Sequence, residues 1–437
     1  MILAGGEIYE QTEQERILEG LEEEISVTLS GEGLDRECVI KAADKFGEKI
    51  RRGEYDKIIR RAAKAAGERA EEYIAKAGAM MSREALEMRI KSELGNDIEE
   101  REIFPPFGVK RARIKLYPLG VLFHIAAGNM EGLPAFSVLE GLLTGNVNIL
   151  KLPRADGGLT VEIFREMIKI ESRLKNYVYI FDTPSTDIMA MEKMAAAANG
   201  IAVWGGDEAV RAVRRLAKPG VRLIEWGHKL GFAYISGYED KERELAALAE
   251  HIISTRQLLC SSCQVIFIDT EDMGEVQKFS EEFLPYLERA GAKYPMNDIG
   301  AAAEISLKMY TDELETAIGA GDSRNICCKK IYRGKNCSVN ACGGGLELSY
   351  MHGNCLVKPL RERDIVKVLR GSKEYLQTAG LICEKDRRER LETLLIKAGV
   401  CRVMGAGNMS EEIIGGSHDG EFGLRRYMRA IVTEARD

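Results

Sequence analysis

At 437 residues the chain is too long for one hydrophobic core and long enough for two or three domains. A net charge of −7 excludes nucleic acid as the main partner, because holding a phosphate backbone needs a basic surface. Apolar residues at 45% and charged residues at 30% fit a soluble globular protein, and ten cysteines behind a start without a basic-then-apolar leader predict free thiols in a reducing cytoplasm.

From about residue 12 to 97 the chain reads as successive helices. "RILEGLEEEI", "DRECVIKAADKFGEKI" and "EYDKIIRRAAKAAGERAEEYIAKAGAMM" keep apolar residues near i, i+3, i+4 spacing with few breakers. "FPPFG" at 104–108 ends that region, since consecutive prolines cannot continue a helix. The texture then changes. Strands "GVLFHIAAGN", "NVNILKLP", "YVYIFDT" and "GIAVWGG" alternate with helices "EGLPAFSVLEGLLTG", "GLTVEIFREMIKIESRL", "STDIMAMEKMAAAAN" and "DEAVRAVRRLA". That alternation over 110–216 predicts an α/β fold with a doubly wound parallel sheet. Ligands bind such sheets at the carboxyl ends of the strands. Asn129, Lys151 with Arg154, Thr183, and Gly205 with Gly206 stand at those ends.

A second βα-rich block opens near "RLIEWGHKLGFAYIS" at 222–236 and carries "TRQLLCSSCQVIFID", Thr255 to Asp269. Two thiols and two hydroxyls at the mouth of an apolar strand admit three readings: a redox dithiol, half of a metal site, or one nucleophile with a bystander. Cys327, Cys328, Cys337, Cys342 and Cys355 cluster without paired CxxC knuckles, so no zinc is expected. No G-x-G-x-x-G follows the first strand, and "GAGDS" at 319–323 and "GAGNM" at 405–409 lack that context. No apolar run approaches the length of a membrane span. His124 reads as a satisfied core residue, the linear pattern marks no motif partner for His251 and His352, and His418 in "SHDG" reads as a turn.

Taken in order, "PLGVLFHIAAGN", "LKLP", "VWGG", "EWGHK" and "QLLCSSCQ" resemble the motif series of the aldehyde dehydrogenase superfamily. Each motif alone is weak, but their order and spacing together are specific. The cysteine segment, with "WGGDEAV", "LQTAGL" and "GVCRVMGAGNMSEEIIGGSHDG", looks most like the acyl-CoA reductases related to the LuxC-type fatty acid reductases of luminous bacteria. The resemblance covers roughly 110–437. It implies a helical N-terminal region with an NAD(P)-binding domain at 1–229, a catalytic domain at 230–415, and a segment at 416–437 that returns to the cofactor domain or to an oligomer interface of a homo-oligomer.

The resemblance also assigns roles. Cys260 takes the nucleophile's position, and Cys263 falls where that branch commonly has proline, so the CxxC spacing reads as accidental. Asn129 with the Cys260 N–H would hold the oxyanion. Glu225 aligns with the carboxylate that activates water in hydrolytic relatives; here it would instead move the thiol proton. Lys151 would meet the adenosine ribose, and Ala127, Gly205 and Gly206 would line the cofactor. Arg154 stands where NAD-preferring relatives often carry an acid, and a guanidinium there favours the 2′-phosphate of NADPH over NADH. "EWGHK" replaces a glycine of the family motif by His228, and "WGGD" replaces its Thr-Gly-Ser.

The implied activity is NADPH-dependent reduction of an acyl-CoA, including long-chain acyl groups, or another acyl thioester, to the aldehyde, with coenzyme A as co-substrate. The alternatives are a CoA-acylating aldehyde dehydrogenase for short acyl groups and, from a different class, a non-catalytic nucleotide-binding scaffold.

Overall fold

The computed structural model describes residues 1–55, 70–103, 111–126, 132–295, 299–318 and 330–434. The chain divides into two compact units, Met1–Gly227 with Ile413–Asp437, and His228–Glu412. Both are α/β.

The first unit opens on two short strands, β1 (Ile2–Ala4) and β2 (Glu7–Tyr9), then helices α1 (Gln14–Ser30), α2 (Arg36–Arg51), α3 (Ala70–Met80) and α4 (Arg83–Leu94). The first part of the expected third helix, 56–69, lies outside the described residues. Helix α2 shows why these segments fold locally. The Asp35 carboxylate accepts from the Glu37 N–H at 3.0 Å, Lys49 and Arg51 stand in the last turn, and Val39, Ala43, Phe46 and Ile50 form one buried stripe.

Strands β3 (Arg101–Ile103), β4 (Ala112–Pro118), β5 (Val121–Ile125), β6 (Val147–Lys151), β7 (Val178–Phe181), β8 (Gly200–Trp204) and β9 (Arg222–Trp226) follow. Helices α5 (Leu133–Leu143), α6 (Leu159–Ile170), α7 (Ile188–Ala197) and α8 (Asp207–Leu216) connect the last five of them. The main sheet runs β2-β1-β7-β6-β5-β8-β9. Strands β5 to β9 are all parallel, β5 to β8 as the alternation over 110–216 predicts and β9 as an addition from the stretch read as opening the second block; β5 to β8 are buried nearly throughout, as a sheet covered on both faces requires. The chain leaves β5 toward β6 and β7, then crosses back to β8, so the order reverses between β5 and β8. Strand β1 was not legible beforehand. It runs antiparallel to β7, Ile2 opposite Phe181, and buries Ile2, Leu3 and Ala4.

The second unit carries β10 (Leu230–Ser236), α9 (Lys241–Ser254), β11 (Cys263–Ile268), α10 (Met273–Lys293), α11 (Ile299–Ala317), β12 (Lys330–Gly334), β13 (Cys337–Ala341), β14 (Asn354–Pro359), α12 (Ile365–Leu369), β15 (Leu376–Cys383), α13 (Arg388–Ala398) and β16 (Arg402–Gly405). Its sheet runs β12-β13-β14-β11-β10-β15-β16, parallel except for the β12–β13 hairpin. The C-terminal segment belongs to the first unit. There α14 (Gly423–Arg426) leads into β17 (Met428–Glu434), which pairs antiparallel with β4 in a three-stranded β17-β4-β3 sheet. Among the described residues no helix is long and apolar enough to cross a membrane.

Candidate active site

Cys260 lies in the turn between α9 and β11, before a strand buried from Cys263 to Phe267, and its side chain is exposed. The loop that presents it is strained. Arg256 and Gln257 hold φ of 51° and 58°, a left-handed conformation that costs about 1–3 kcal/mol for a residue other than glycine. Buried amides hold the strain in place. Gln257 Nε2 donates to the Cys263 carbonyl at 2.8 Å and to Ser349 Oγ at 3.1 Å, while its Oε1 accepts from the Gly353 N–H at 3.0 Å. Gln264 Nε2 donates to the Gln257 carbonyl at 2.8 Å, and its Oε1 accepts from Ser349 Oγ at 2.7 Å. The two glutamines of "QLLCSSCQ" thus lock both feet of the loop, and the thiol stands at its crest.

The other cysteine of the pair is differently placed. Cys263 has no exposed surface, and burial pushes its thiol up to about 12. A thiol in that state is neither nucleophilic nor accessible to a disulfide partner. The nearby His251 imidazole accepts from the Cys263 N–H at 3.4 Å. Burial pushes that ring down to about 4, so it is neutral. Cys337 and Cys355 are likewise buried with thiols pushed upward, and among the described residues no cluster of His, Cys, Asp and Glu could hold a metal.

The first unit gathers a different set at the carboxyl edge of its sheet. Lys151 ends β6, half-buried, with burial pushing its ammonium down and the Asp182 carboxylate at the end of β7 pushing it back up. Arg154 opens a single 3₁₀ turn just beyond and is exposed. Gly205 follows β8, its N–H donating to the Trp226 carbonyl at 3.1 Å, and Gly206 caps α8 with open space where a Cβ would stand. Asn129 and Ala127 lie outside the described residues.

Glu225 sits one residue before the end of β9, where Arg214 of α8 grips both carboxylate oxygens at 2.6 and 2.7 Å. That guanidinium holds the carboxyl below its usual range. The pair ties the end of β9 to α8.

Sequence reading missed an aromatic cluster at the same edge. Trp204 and Trp226, the last residues of β8 and β9, stack with centroids 5.3 Å apart, and the His418 ring packs on both at 5.2 and 5.0 Å. His418 reaches them from an Asp419-Gly420 turn, with both central residues at positive φ. Trp204 is anchored from beneath. Its Nε1 donates to Ser137 Oγ at 3.1 Å, Ser137 meets His124 Nδ1 at 2.8 Å, and His124 Nε2 meets Asn148 Oδ1 at 3.0 Å. Because the Asn148 amide N–H donates to the Asn146 carbonyl, Oδ1 accepts, so His124 carries its proton on Nε2 and Ser137 donates to Nδ1. "VWGG" and "EWGHK" marked these positions, but nothing in either stretch announced the histidine some 190 residues on.

This edge fits a dinucleotide. The N-terminus of α8 presents backbone N–H groups beside an uncrowded glycine, as phosphate recognition requires. Lys151 and Arg154 add cations, and the Trp226 Nε1 is a buried donor without a hydrogen-bond partner among the described residues.

Comparison with known proteins places this geometry in a family. The chain matches the family described as acyl-CoA reductase (LuxC) over residues 33–430. It is 21% identical over 351 residues to a long-chain acyl-protein thioester reductase 2 of Photobacterium leiognathi, covering 78% of this chain and 69% of that one. It is also 21% identical over 361 residues to the long-chain acyl-protein thioester reductase of Vibrio harveyi, covering 81% and 72%. The fold is similar to that of the NADP-dependent glyceraldehyde-3-phosphate dehydrogenase of Bacillus halodurans C-125 complexed with NADP. The TM-score is 0.70 at 14% identity, covering 99% of this chain and 98% of that one.

Proposed function

The chain belongs to the acyl-CoA reductase (LuxC) family, and from that premise we propose that it reduces an acyl thioester to the aldehyde, with Cys260 as covalent nucleophile and NADPH as hydride donor. The observation that carries this reading is the contrast within one loop: Cys260 exposed at a strained, amide-locked crest, Cys263 buried and protonated. That arrangement suits one nucleophile and gives a dithiol no access.

The residues act in sequence. The Cys260 thiolate attacks the acyl carbonyl and the donor thiolate leaves, so the acyl group is now a thioester on the protein. The Asn129 amide and the Cys260 N–H hold the negative oxygen during attack. When bound, the reduced nicotinamide supplies the hydride. The resulting thiohemiacetal on Cys260 then breaks its C–S bond, releasing aldehyde and restoring the thiolate. Lys151, Arg154, Ala127, Gly205 and Gly206 hold the cofactor.

We take acyl-CoA as the donor, with coenzyme A leaving. A second reading, a thioester carried on a protein, is favoured by the names of the relatives from Photobacterium leiognathi and Vibrio harveyi. Following NADPH oxidation by purified protein with acyl-CoAs of increasing chain length, and with acylated carrier protein, separates the two. Aldehyde should form with at least one donor class. Cofactor binding without turnover of any thioester would favour a nucleotide-binding scaffold and sink the reductase reading.

Cofactor choice rests on Lys151 and Arg154. A 2′-phosphate meeting exposed Arg154 gains charge-assisted hydrogen bonds of about 1.5–3 kcal/mol, roughly a ten- to hundredfold preference for NADPH over NADH. The opposing group is Asp182 beside Lys151, a carboxylate able to accept from the ribose hydroxyls of NADH. Arg154→Glu should therefore erase or invert the preference in kcat/KM. A wild type preferring NADH, or an unchanged ratio in the variant, would give the choice to Asp182 instead.

A further inference from the structure

We propose that Arg402 keeps Cys260 in the thiolate form at neutral pH. The proposal rests on the reading of Cys260 as the nucleophile. It adds a residue that none of the aligned motifs marks for that work.

The topology brings the two residues to one edge. Strands β11, β10, β15 and β16 lie side by side and parallel, so the loop before β11 and the first residue of β16, Arg402, share the amino edge of the sheet. Between them stand the starts of β10 and β15, and at β10 Gly231 clears the way. A Cβ on Gly231 would stand 2.6 and 2.7 Å from the carbonyl oxygens of Ser262 and Ser261, so the cysteine loop lies directly on the β10 backbone. Across that gap Ser261 Oγ meets Ser410 Oγ at 2.8 Å, pinning the loop to the segment that follows β16. The same segment anchors the guanidinium: Arg402 Nη2 donates to the carbonyl of Glu411, the residue after Ser410.

Arg402 is half-buried, and its Nε is a buried donor without a hydrogen-bond partner among the described residues. Burial pushes the guanidinium down from its ordinary value. Cys260, once ionised, is the first of the neighbours that push it back up, ahead of Glu411 and Glu412. Such an interaction is reciprocal, because a cation stabilised by a thiolate stabilises that thiolate equally. Arginine holds its proton under all ordinary conditions, so the arrangement sets a fixed positive charge on the same sheet edge as an exposed thiol, with Arg402 held at Glu411 and the cysteine loop held at the adjacent Ser410. The thiol loses its proton to solvent and Arg402 retains its own. Other charged groups at this edge are Arg256 on the cysteine loop and the two glutamates; His251 of α9 is neutral and supplies no charge. Arg402 therefore acts through Cys260 as a positioning and activating residue.

The test reads Cys260 without any acyl substrate, so it stands or falls separately from the reductase reading. The rate of iodoacetamide alkylation is followed against pH and quantified on the peptide carrying Cys260, since Cys401 is also exposed. Wild type should give a midpoint below the roughly 8.5 of a free thiol. Arg402→Gln should raise the midpoint by about one pH unit, cutting the thiolate fraction at neutral pH about tenfold. Arg402→Lys, which keeps the charge, should restore most of the shift. A wild-type midpoint at or above that of a free thiol overturns the proposal whether or not the variants fold. So does an unchanged midpoint in an Arg402→Gln protein that melts like wild type. Loss of acyl-adduct formation with the midpoint unmoved would place Arg402 on substrate binding and equally reject the activation.

Discussion

Cys260→Ala should lose reductase activity altogether, a fall on the order of 10⁴–10⁶ as expected when a covalent nucleophile is removed, while Cys263→Ala keeps turnover near wild type. The asymmetry follows from placement. Cys260 is exposed at the crest of a loop whose feet are locked by Gln257 and Gln264; Cys263 is the first residue of a buried strand, its thiol pushed up to about 12. Removing the Cys263 sulfur leaves a small void in a packed core, costing about 1–2 kcal/mol of stability without touching the crest. Cys263→Ala should therefore melt lower yet turn over normally. Intact-mass analysis after incubation with acyl-CoA, cofactor withheld, gives the chemical readout: one acyl adduct in wild type and in Cys263→Ala, none in Cys260→Ala. An adduct persisting in Cys260→Ala, or equal loss of activity in both variants, would falsify the single-nucleophile account.

How much of this was legible depends on whether the signal was local. The parallel strands β5 to β8 could be read because each is an apolar run bounded by turn residues and followed by a periodic helix, whereas β9, which runs on to β10 without a helix, read as the opening of the second block. Strand β1 could not: three residues carry no period, and they are strand only because the edge of β7 accepts them. The cysteine loop was legible as a motif, but not its mechanics. Gln257 and Gln264 work through Ser349 and Gly353, about 90 residues away, and Gly231 matters only because the serine carbonyls lie against it.

The contacts that no motif announced have the same origin. Glu225 read as a proton carrier from its motif, but the neighbouring helix brings Arg214 onto both its oxygens, and an ion pair across a strand–helix packing leaves no mark in a linear pattern. His418 read as a turn, which it is. That the turn sets its ring against Trp204 and Trp226 follows from the C-terminal segment returning to the first unit. Arg402 stood in the quoted "GVCRVMGAG" without any role, and only the Ser261–Ser410 contact brings its segment onto the cysteine loop.

Replacing Asn129 by alanine should lower kcat on the order of 10²–10³, the usual effect of losing one oxyanion donor, with little change in the Kd for NADPH. The expectation comes from the family alignment and from chemistry. Attack by the Cys260 thiolate puts a full negative charge on the former carbonyl oxygen. One backbone N–H from the cysteine itself leaves that oxygen under-stabilised, and a side-chain amide is the neutral donor that can complete the pair without perturbing the thiolate. The loss should fall on acylation and on hydride transfer alike, because both pass through a tetrahedral oxyanion on Cys260. A single-turnover experiment without cofactor isolates the first of these and should slow by a similar factor. Asn129→Asp should do worse than alanine, since a carboxylate repels the charge that the amide holds. Its deficit should shrink as pH falls through the ordinary carboxylate range, where the protonated acid regains an O–H donor. If Asn129→Ala turned over near normally, the asparagine would be a turn residue, as its neighbour Gly128 permits, and the second oxyanion donor would have to come from another residue.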